Sequence, residues 1–297
     1  MSTPQKIKFA FFGSSHLSII VLDEMEKAGV VPSCIVTTPD KPQGRKLILT
    51  PNVVKDWATK RNITVYDWGN LKKTDDKGLT PADQLKKENC EIFIVASYGK
   101  IIPTEIVNMA PKKMLNIHPS LLPIYRGPSP LPTAILNDTK HTGITIMRVD
   151  EMMDHGPIVA VKEIEIKEWP TYEEFEEFMA REGAQLLIDI LPDWIAGNIK
   201  EIDQDDSKAT YTKKIIKEDG LVNLGDDPYL NFRKIQAYHE WPQAYFILNH
   251  KGDDLRIKIT QASFKSGKLL IEKVIPEGGK EMNYGDFIRG YGIQTQR

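Results

Sequence analysis

Long apolar runs and cysteines are what this sequence most clearly lacks. No apolar stretch approaches the ~20 residues that a membrane-spanning helix needs, which argues against a membrane protein. Only two cysteines, Cys34 and Cys90, occur in 297 residues, and neither has a cysteine or histidine at metal-binding spacing. A disulfide framework and a zinc site are therefore not expected, and the two residues are predicted to be buried, reduced thiols.

A strong charge of either sign is also missing. The formal net charge is −2, which gives no overall sign of a nucleic-acid partner. The distribution is uneven, since residues 207–297 hold 15 Lys and Arg against 11 Asp and Glu. A solvated surface explains this mildly basic part as readily as a polyanionic partner does.

The first six residues lead into a strand-like segment without the apolar region of a secretory signal, so a cytoplasmic location is expected.

Several common catalytic motifs are absent as well. The turn after the first predicted strand reads Gly13-Ser14-Ser15-His16 and holds a single glycine, where a dinucleotide site has G-x-G-x-x-G. The sequence contains no P-loop, no G-x-S-x-G and no H-E-x-x-H. Dinucleotide binding, phosphoryl transfer, serine hydrolysis and zinc-dependent proteolysis are therefore disfavoured, and no metal is expected in the site.

Short apolar runs alternate with helical segments in the first half of the chain. Strands are predicted at Ile7–Phe12, Val31–Val36, Ile63–Tyr66, Glu91–Val95 and Met114–Ile117. This alternation predicts an α/β fold, with a Rossmann-like, mostly parallel sheet and helices on both faces. Ligands of such sheets bind beyond the carboxyl ends of the strands, which makes the residues after Phe12, Val95 and Ile117 favoured positions for a site.

The pattern changes in the last third of the chain. Thr171 and Glu174 form a predicted capping box for a helix that ends near Ala196, and the acidic stretch that follows is a candidate linker. From Ala244 onward, short alternating runs separated by glycine-containing turns predict a small antiparallel β domain, an OB-like β-barrel. The predicted organisation is a catalytic domain at 1–200, a linker at 201–209 and a β-barrel domain at 210–297.

Chemistry-bearing side chains lie at the end of the fifth predicted strand, in the run Asn116-Ile117-His118. Because side chains alternate along a strand, Asn116 and His118 project to the same side. An amide donor and an imidazole can then converge on one reacting oxygen. Asp154, in a later turn, could orient the imidazole or keep it protonated. Taken singly, each residue has an ordinary structural explanation, since aspartate is common in turns and most histidines are structural.

Longer motifs around these residues resemble the folate-dependent formyltransferases. They are Asn-Ile-His-Pro-Ser-Leu-Leu-Pro at 116–123, Tyr-Arg-Gly at 125–127, Gly-Ile-Thr-Ile-Met at 143–147 and Met-Asp-His-Gly-Pro at 153–157. The resemblance implies that Asn116, His118 and Asp154 are catalytic and that 10-formyltetrahydrofolate is the co-substrate. It also implies folate contacts from Ser97, Tyr98, Gly99, Ile101, Ser120, Leu121, Leu122, Pro123, Val149, Asp150 and Met153.

The resemblance covers nearly the whole chain and is strongest for the branch of the family that acts on methionyl-tRNA. The sequence Thr-Pro-Asp-Lys-Pro-Gln-Gly-Arg at 38–45 is similar to a basic loop of that branch, which reaches the acceptor end of the tRNA. The implied reaction is formyl transfer to the α-amine of methionyl-tRNA for translation initiation, by a monomer whose C-terminal domain binds tRNA. The implied tRNA contacts are Lys41, Arg45, Lys46, Arg126, Lys213 and Lys214.

Three other functions stay open on the sequence. A formyltransferase acting on a nucleotide-linked amino sugar would share all three catalytic residues, and only the basic loop and the C-terminal domain argue against it. A hydrolase that releases formate from the folate would not need the additional domain. A silent folate- or tRNA-binding protein would have no reason to keep all three catalytic residues.

Overall fold

Strands and helices alternate through the first half of the chain in the computed structural model, which describes residues 7–43, 48–250 and 252–291. The strands are β1 (Phe9–Phe12), β2 (Cys34–Val36), β3 (Lys41–Gln43), β4 (Ile48–Thr50), β5 (Thr64–Tyr66), β6 (Ile92–Val95), β7 (Met114–His118), β8 (His141–Arg148), β9 (Ile158–Glu165), β10 (Tyr245–His250), β11 (Asp253–Lys265), β12 (Lys268–Pro276) and β13 (Met282–Asn283). The α-helices are α1 (His16–Lys27), α2 (Val53–Thr59), α3 (Pro81–Glu88), α4 (Thr104–Val107), α5 (Pro130–Leu136), α6 (Tyr172–Ala196), α7 (Pro228–Ala237) and α8 (Tyr284–Tyr291).

Seven strands form one sheet, in the order β5-β2-β1-β6-β7-β8-β9. Strand β1 pairs in parallel with β2 and β6, and the β2–β5 and β6–β7 pairs are also parallel. Strands β7 and β8 are antiparallel. Strands β1 and β6 consist of apolar residues that are all buried, as expected for strands covered on both faces. The predicted α/β class with a mostly parallel sheet is confirmed.

The chain forms two compact units. The first takes residues up to Pro128, Gly143–Ile164 and Glu177–Tyr211, and the second takes Ser129–Thr142, Glu165–Glu176 and the residues from Thr212 onward. The predicted linker, 201–209, falls within the first unit. The proposed boundaries at 200 and 210, between a catalytic domain and a tRNA-binding domain, stay a prediction.

An antiparallel sheet dominates the second unit, with its four strands in the order β10-β11-β12-β13. One face carries an apolar core and the strands are otherwise partly exposed, which is the usual pattern for antiparallel sheets. The core consists of Val222, Ile235, Ala244, Phe246, Ile257, Ile259, Val274 and Phe287. The predicted C-terminal antiparallel β domain is confirmed.

Hydrogen bonds join the loops that follow the central strands of the first sheet. The Ser14 amide donates to the Ser97 carbonyl at 3.1 Å, and the Ser18 hydroxyl donates to the Ala96 carbonyl at 2.7 Å. The loop after β1 is thereby tied to the loop after β6. The edge at which a ligand of a parallel sheet binds is a connected structure rather than a set of independent loops.

Local signals from the sequence are reproduced in several places. The Glu174 carboxylate accepts hydrogen bonds from the amide and hydroxyl of Thr171, both at 2.9 Å, so the capping box that begins α6 is confirmed. Cys34 and Cys90 are buried free thiols, as predicted. A membrane-crossing helix would have to be long and uniformly apolar, and none of the described helices is.

Candidate active site

Asn116 and His118 lie on β7, between β6 and β8. Asn116 is paired in register with Val95 of β6 and Met147 of β8, and His118 with Thr145 of β8. Their alternate positions place both side chains on the same face of the strand. Asn116 is half-buried, and within the described part of the chain its side-chain amide makes no hydrogen bond. Its N–H groups are therefore available to a ligand.

The His118 ring is buried and held from two sides. Its Nε2 donates to the Tyr125 carbonyl at 3.0 Å, and its Nδ1 lies 3.7 Å from Oδ1 of Asp154. The second carboxylate oxygen, Oδ2, accepts a hydrogen bond from the Gly127 amide at 2.8 Å. The 3.7 Å separation is an ion-pair distance and too long for a hydrogen bond. The structure thus brings together the three side chains that the sequence indicated.

The loop that follows β7 is fixed by its own hydrogen bonds. The Thr145 hydroxyl donates to the Ser120 carbonyl at 2.7 Å and accepts from the Leu122 amide at 3.1 Å. The Ser120 hydroxyl donates to the Ile124 carbonyl at 2.6 Å. The side chains of Ser120 and Leu122 are buried, whereas those of Leu121 and Pro123 are partly exposed. Of the four predicted folate contacts in this loop, Leu121 and Pro123 therefore offer side-chain surface.

The loop after β6 turns at Ser97, whose backbone has a φ of 54°. Tyr98 packs into the core with its ring 5.6 Å from that of Phe12, and burial raises the pKa of Tyr98 to about 12. Its hydroxyl has no hydrogen-bond partner among the described residues. Ile101, in contrast, is 90% exposed, although it is a large apolar residue. Side-chain contact with a ligand is therefore open to Ile101, while the Tyr98 ring is occupied in the core.

Lys100 lies in this loop but was not among the residues predicted to contact the folate. Its Nζ donates to the carbonyls of Trp68 and Gly69 at 2.8 and 2.9 Å. Burial, with a contribution from the charge of Lys41, lowers the pKa of Lys100. The lysine thus ties the loop after β6 to the segment after β5. Its position within the predicted folate segment 97–103 was the available signal.

The turn between β8 and β9 carries Asp154, whose backbone φ is 49°. The Asp150 carboxylate accepts hydrogen bonds from the Met152 amide at 2.9 Å and from Nδ1 of His155 at 2.6 Å. The bond to Asp150 raises the pKa of His155. Val149 donates its amide to the backbone of β7, and Met153 is 59% exposed. The turn is thus internally bonded and presents two apolar side chains outward, since Met152 is 56% exposed as well.

The predicted tRNA contacts do not share one environment. Lys41, Lys213 and Lys214 are exposed, whereas Arg45 and Lys46 lie outside the described residues. Arg126 is only 1% exposed, which corrects its assignment as a phosphate contact. Its guanidinium is already bonded to polar side chains of the segment 204–211, namely Gln204 Oε1 at 2.8 and 3.0 Å, Asp206 at 2.7 Å and the Tyr211 hydroxyl at 3.3 Å.

The α/β fold is compatible with many enzyme classes, and comparison with known families identifies this one as a class of group-transfer enzymes. A family profile described as formyl transferase matches residues 5–191. The chain belongs to the formyl transferase family, and the resemblance seen in the sequence motifs is confirmed.

One relative and two solved structures extend the match beyond the profile. The chain is 35% identical over 312 residues to a methionyl-tRNA formyltransferase from Sulfurihydrogenibium sp. (strain YO3AOP1), covering 97% of this chain and 98% of that protein. The structure of a methionyl-tRNA formyltransferase from Clostridium thermocellum superimposes with a TM-score of 0.61 at 18% identity, covering 93% and 99% of the two chains. The structure of HypX from Aquifex aeolicus in complex with tetrahydrofolic acid superimposes with a TM-score of 0.67 at 14% identity. The match covers 98% of this chain and 48% of that one.

Proposed function

We propose that this enzyme transfers a formyl group from 10-formyltetrahydrofolate to the α-amine of methionyl-tRNA, with Asn116, His118 and Asp154 as its catalytic residues. The observation that carries the proposal is the placement of these three side chains at the end of β7 and in the facing turn. The similarity to a methionyl-tRNA formyltransferase over nearly the full chain supports the choice of acceptor.

Formyl transfer requires a site that meets negative charge on an oxygen. When an amine attacks the formyl carbon, the carbonyl electrons move onto the formyl oxygen, and preorganised donors at that point lower the barrier. Asn116 suits this role because its amide is half-buried and makes no hydrogen bond within the described chain. We assign the Asn116 N–H groups to that oxygen as hydrogen-bond donors. The two ring nitrogens of His118 face the Tyr125 carbonyl and the Asp154 carboxylate, so the ring contributes a positive charge near the oxygen rather than a hydrogen bond.

The attacking amine must also lose a proton, and the His118–Asp154 pair fits this step. The Tyr125 carbonyl holds one ring nitrogen of His118, and the Asp154 carboxylate faces the other at 3.7 Å. A carboxylate in that position orients the imidazole, stabilises a positive charge on it and can accept the amine proton through water. Catalytic hydrogen bonds are often long without substrate and shorten in the complex, so the 3.7 Å separation is compatible with this role.

The residues around the site fit a folate. Ile101 and Met153 are large apolar side chains that are 90% and 59% exposed, and a flat aromatic ring system would cover such surface. Backbone groups of 97–103, 119–123 and 149–155 would supply the polar contacts that a pterin requires. When bound, 10-formyltetrahydrofolate provides an activated formyl group. The role of the chain itself is to bind the folate and to orient its formyl group toward the acceptor amine.

Binding of the tRNA is assigned to exposed lysines. Lys41 in the first unit and Lys213 and Lys214 in the second are exposed cations that can contact phosphates. Such contacts release counterions, so affinity should fall as the salt concentration rises. Arg126 is left out of this set because its guanidinium is buried. We place the reaction in the cytoplasm and expect a monomer.

One comparison of acceptors tests the proposal. The wild-type chain is incubated with 10-formyltetrahydrofolate and either methionyl-tRNA or a nucleotide-linked amino sugar, and formylated product is quantified by mass spectrometry. Formylation of methionyl-tRNA, lost in His118→Ala, is the expected result. Formylation of the sugar alone would assign the chain to the sugar-modifying branch, and release of formate without acceptor would make it a hydrolase.

A further inference from the structure

The turn that carries Asp154 is held in place by a side chain distant in sequence. Asp154 adopts the left-handed region, at a φ of 49°, which aspartate tolerates better than most residues other than glycine. Contacts from neighbouring groups determine whether the turn keeps this conformation. Since the Asp154 carboxylate bridges the Gly127 amide and the His118 ring, the direction of the carboxylate depends on this backbone.

Gln204 supplies the contacts that fix the turn. Its Nε2 donates to the Asp154 carbonyl at 2.9 Å and to the Gly156 carbonyl at 2.7 Å. Both hydrogens of the amide are thereby used on carbonyls two residues apart. Gln204 thus holds the main chain on both sides of His155, immediately beside the catalytic carboxylate.

Arg126 fixes the other end of the same amide. Its Nε and Nη2 donate to Oε1 of Gln204 at 3.0 and 2.8 Å, and Nη2 also pairs with Asp206 at 2.7 Å. With its oxygen bound to a guanidinium, the Gln204 amide cannot rotate without losing four hydrogen bonds. The next residue, Gly127, donates its own amide to Asp154. Two consecutive residues therefore hold Asp154. Gly127 binds its carboxylate directly, and Arg126 fixes its backbone through Gln204.

We propose that Gln204 is a positioning residue for formyl transfer, which holds the Asp154 turn so that the carboxylate faces His118. The inference rests on the proposed function, because it presumes that Asp154 takes part in catalysis. It predicts that removing the Gln204 donors lowers the rate of the chemical step while leaving the folded structure and tRNA binding in place.

The substitution Gln204→Glu separates the two halves of the contact. It keeps the shape of the side chain and strengthens the interaction with Arg126, but it replaces the amide donor by an oxygen that repels the Asp154 and Gly156 carbonyls. We expect the single-turnover rate constant for formyl transfer to fall about ten-fold or more, since small misplacements of catalytic groups are costly. The KM for methionyl-tRNA should stay near wild type. The Tm should fall because two hydrogen bonds are lost, so the rates are compared at a temperature at which both proteins are folded.

Gln185→Glu is the matched control. Gln185 lies exposed on α6 in the same unit, so this change adds the same charge away from the site, and its rate should equal that of the wild type. Gln204→Met, which keeps the length and removes both the donors and the acceptor, serves as the second variant. It is judged by the same criteria if Gln204→Glu melts below the assay temperature.

Coupling to Asp154 distinguishes positioning from general damage. In an Asp154→Ala background the turn no longer carries a catalytic carboxylate, so Gln204→Glu should not lower the rate further. An equal loss in both backgrounds, or no loss in the wild-type background, would overturn the positioning role. Absence of formyl transfer by the wild-type chain would refute the proposed function itself. A wild type that is active, with an inactive Asp154→Ala and a fully active Gln204→Glu, would refute only the inference.

Discussion

Two turns of the molecule reverse the chain under opposite constraints. In the turn between β8 and β9, the Gly156 Cα lies so close to the backbone that an added Cβ would sit 1.8 Å from the Arg148 carbonyl oxygen. In the turn between β11 and β12, Gly267 has a φ of 76° and open space around it. The first turn requires glycine because of its neighbours, and the second because of its own backbone dihedral.

The difference follows from what each region does. The turn with Gly156 is packed and hydrogen-bonded on several sides, and in the proposed mechanism it holds Asp154 beside His118. The turn with Gly267 connects two strands of a partly exposed antiparallel sheet, where only the reversal itself is needed. Changes near the end of β7 should therefore cost catalysis or folding, whereas changes on the C-terminal sheet should cost little.

The largest effect is expected at His118. His118→Ala removes the imidazole that we assign to the formyl oxygen and to the Asp154 pair, so kcat should fall about 10²–10⁴-fold. Lys268→Ala, at an exposed position of the C-terminal sheet, should change kcat by less than about two-fold. Both are measured as initial rates of methionyl-tRNA formylation, with circular dichroism as the check on folding. Similar rates for both variants would contradict the division between the two regions.

The two glycines give the second contrast, in stability. Gly156→Ala should lower the free energy of unfolding by about 3 kcal/mol or more, because the backbone must move to relieve the clash. Gly267→Ala should cost about 1 kcal/mol, since it meets no atom and pays only for its left-handed conformation. Thermal melts of both variants, read by differential scanning calorimetry, make the comparison. Equal losses would mean that the turn at Gly156 can relax.

The sequence was most informative where the determinants are local. The apolar runs of β1 and β6 are buried on both faces and were predicted, as was the capping box of α6. The placement of Asn116 and His118 on one face followed from the two-residue period of a strand. Helix α7 was not predicted from the sequence. Its signal is nevertheless present, since Asp227 caps the helix and Pro228 occupies its first turn.

Long-range pairing explains what the sequence could not provide. Arg126 belongs to a Tyr-Arg-Gly motif and was assigned to a phosphate, yet it is buried against Gln204 and Asp206, which are 78 and 80 residues away. No local pattern distinguishes a guanidinium that meets a partner within the fold from one that meets RNA. The segment around Lys41 was predicted as a loop, and it forms the short strands β3 and β4, because their pairing is set by backbone contacts rather than by a hydrophobic period.

A smaller effect is expected at two lysines near the start of the last segment of the second unit. Lys213→Ala and Lys214→Ala should each weaken tRNA binding and reduce the slope of log K against log salt by about 0.7–0.9. At saturating tRNA the kcat should stay unchanged, because neither residue touches the reacting groups. Lys86→Ala, at an exposed position on α3, is the control for loss of one charge. The assignment is wrong if the salt slopes of all three variants equal that of the wild type.

The smallest effect concerns His155, at the charged side of the Asp154 turn. Its hydrogen bond to Asp150 raises the pKa above the 6.5 of the unfolded chain, with Asp206 adding a weaker contribution at 3.4 Å. A raised pKa means that the stabilisation is fully present below about pH 6.5 and is lost as the pH rises through the folded-state value. His155→Gln should therefore lower stability at pH 5.5 by a few tenths to about 1 kcal/mol, and by less at pH 8.5. Urea unfolding at both pH values measures this. When His155→Gln is made in an Asp150→Asn background, the pH dependence should shrink to the weaker contribution of Asp206. A loss of stability that is the same at both pH values would show that the ring acts through packing rather than charge. The charged contacts of the turn between β8 and β9 would then contribute no more to stability than the exposed turn between β11 and β12 does.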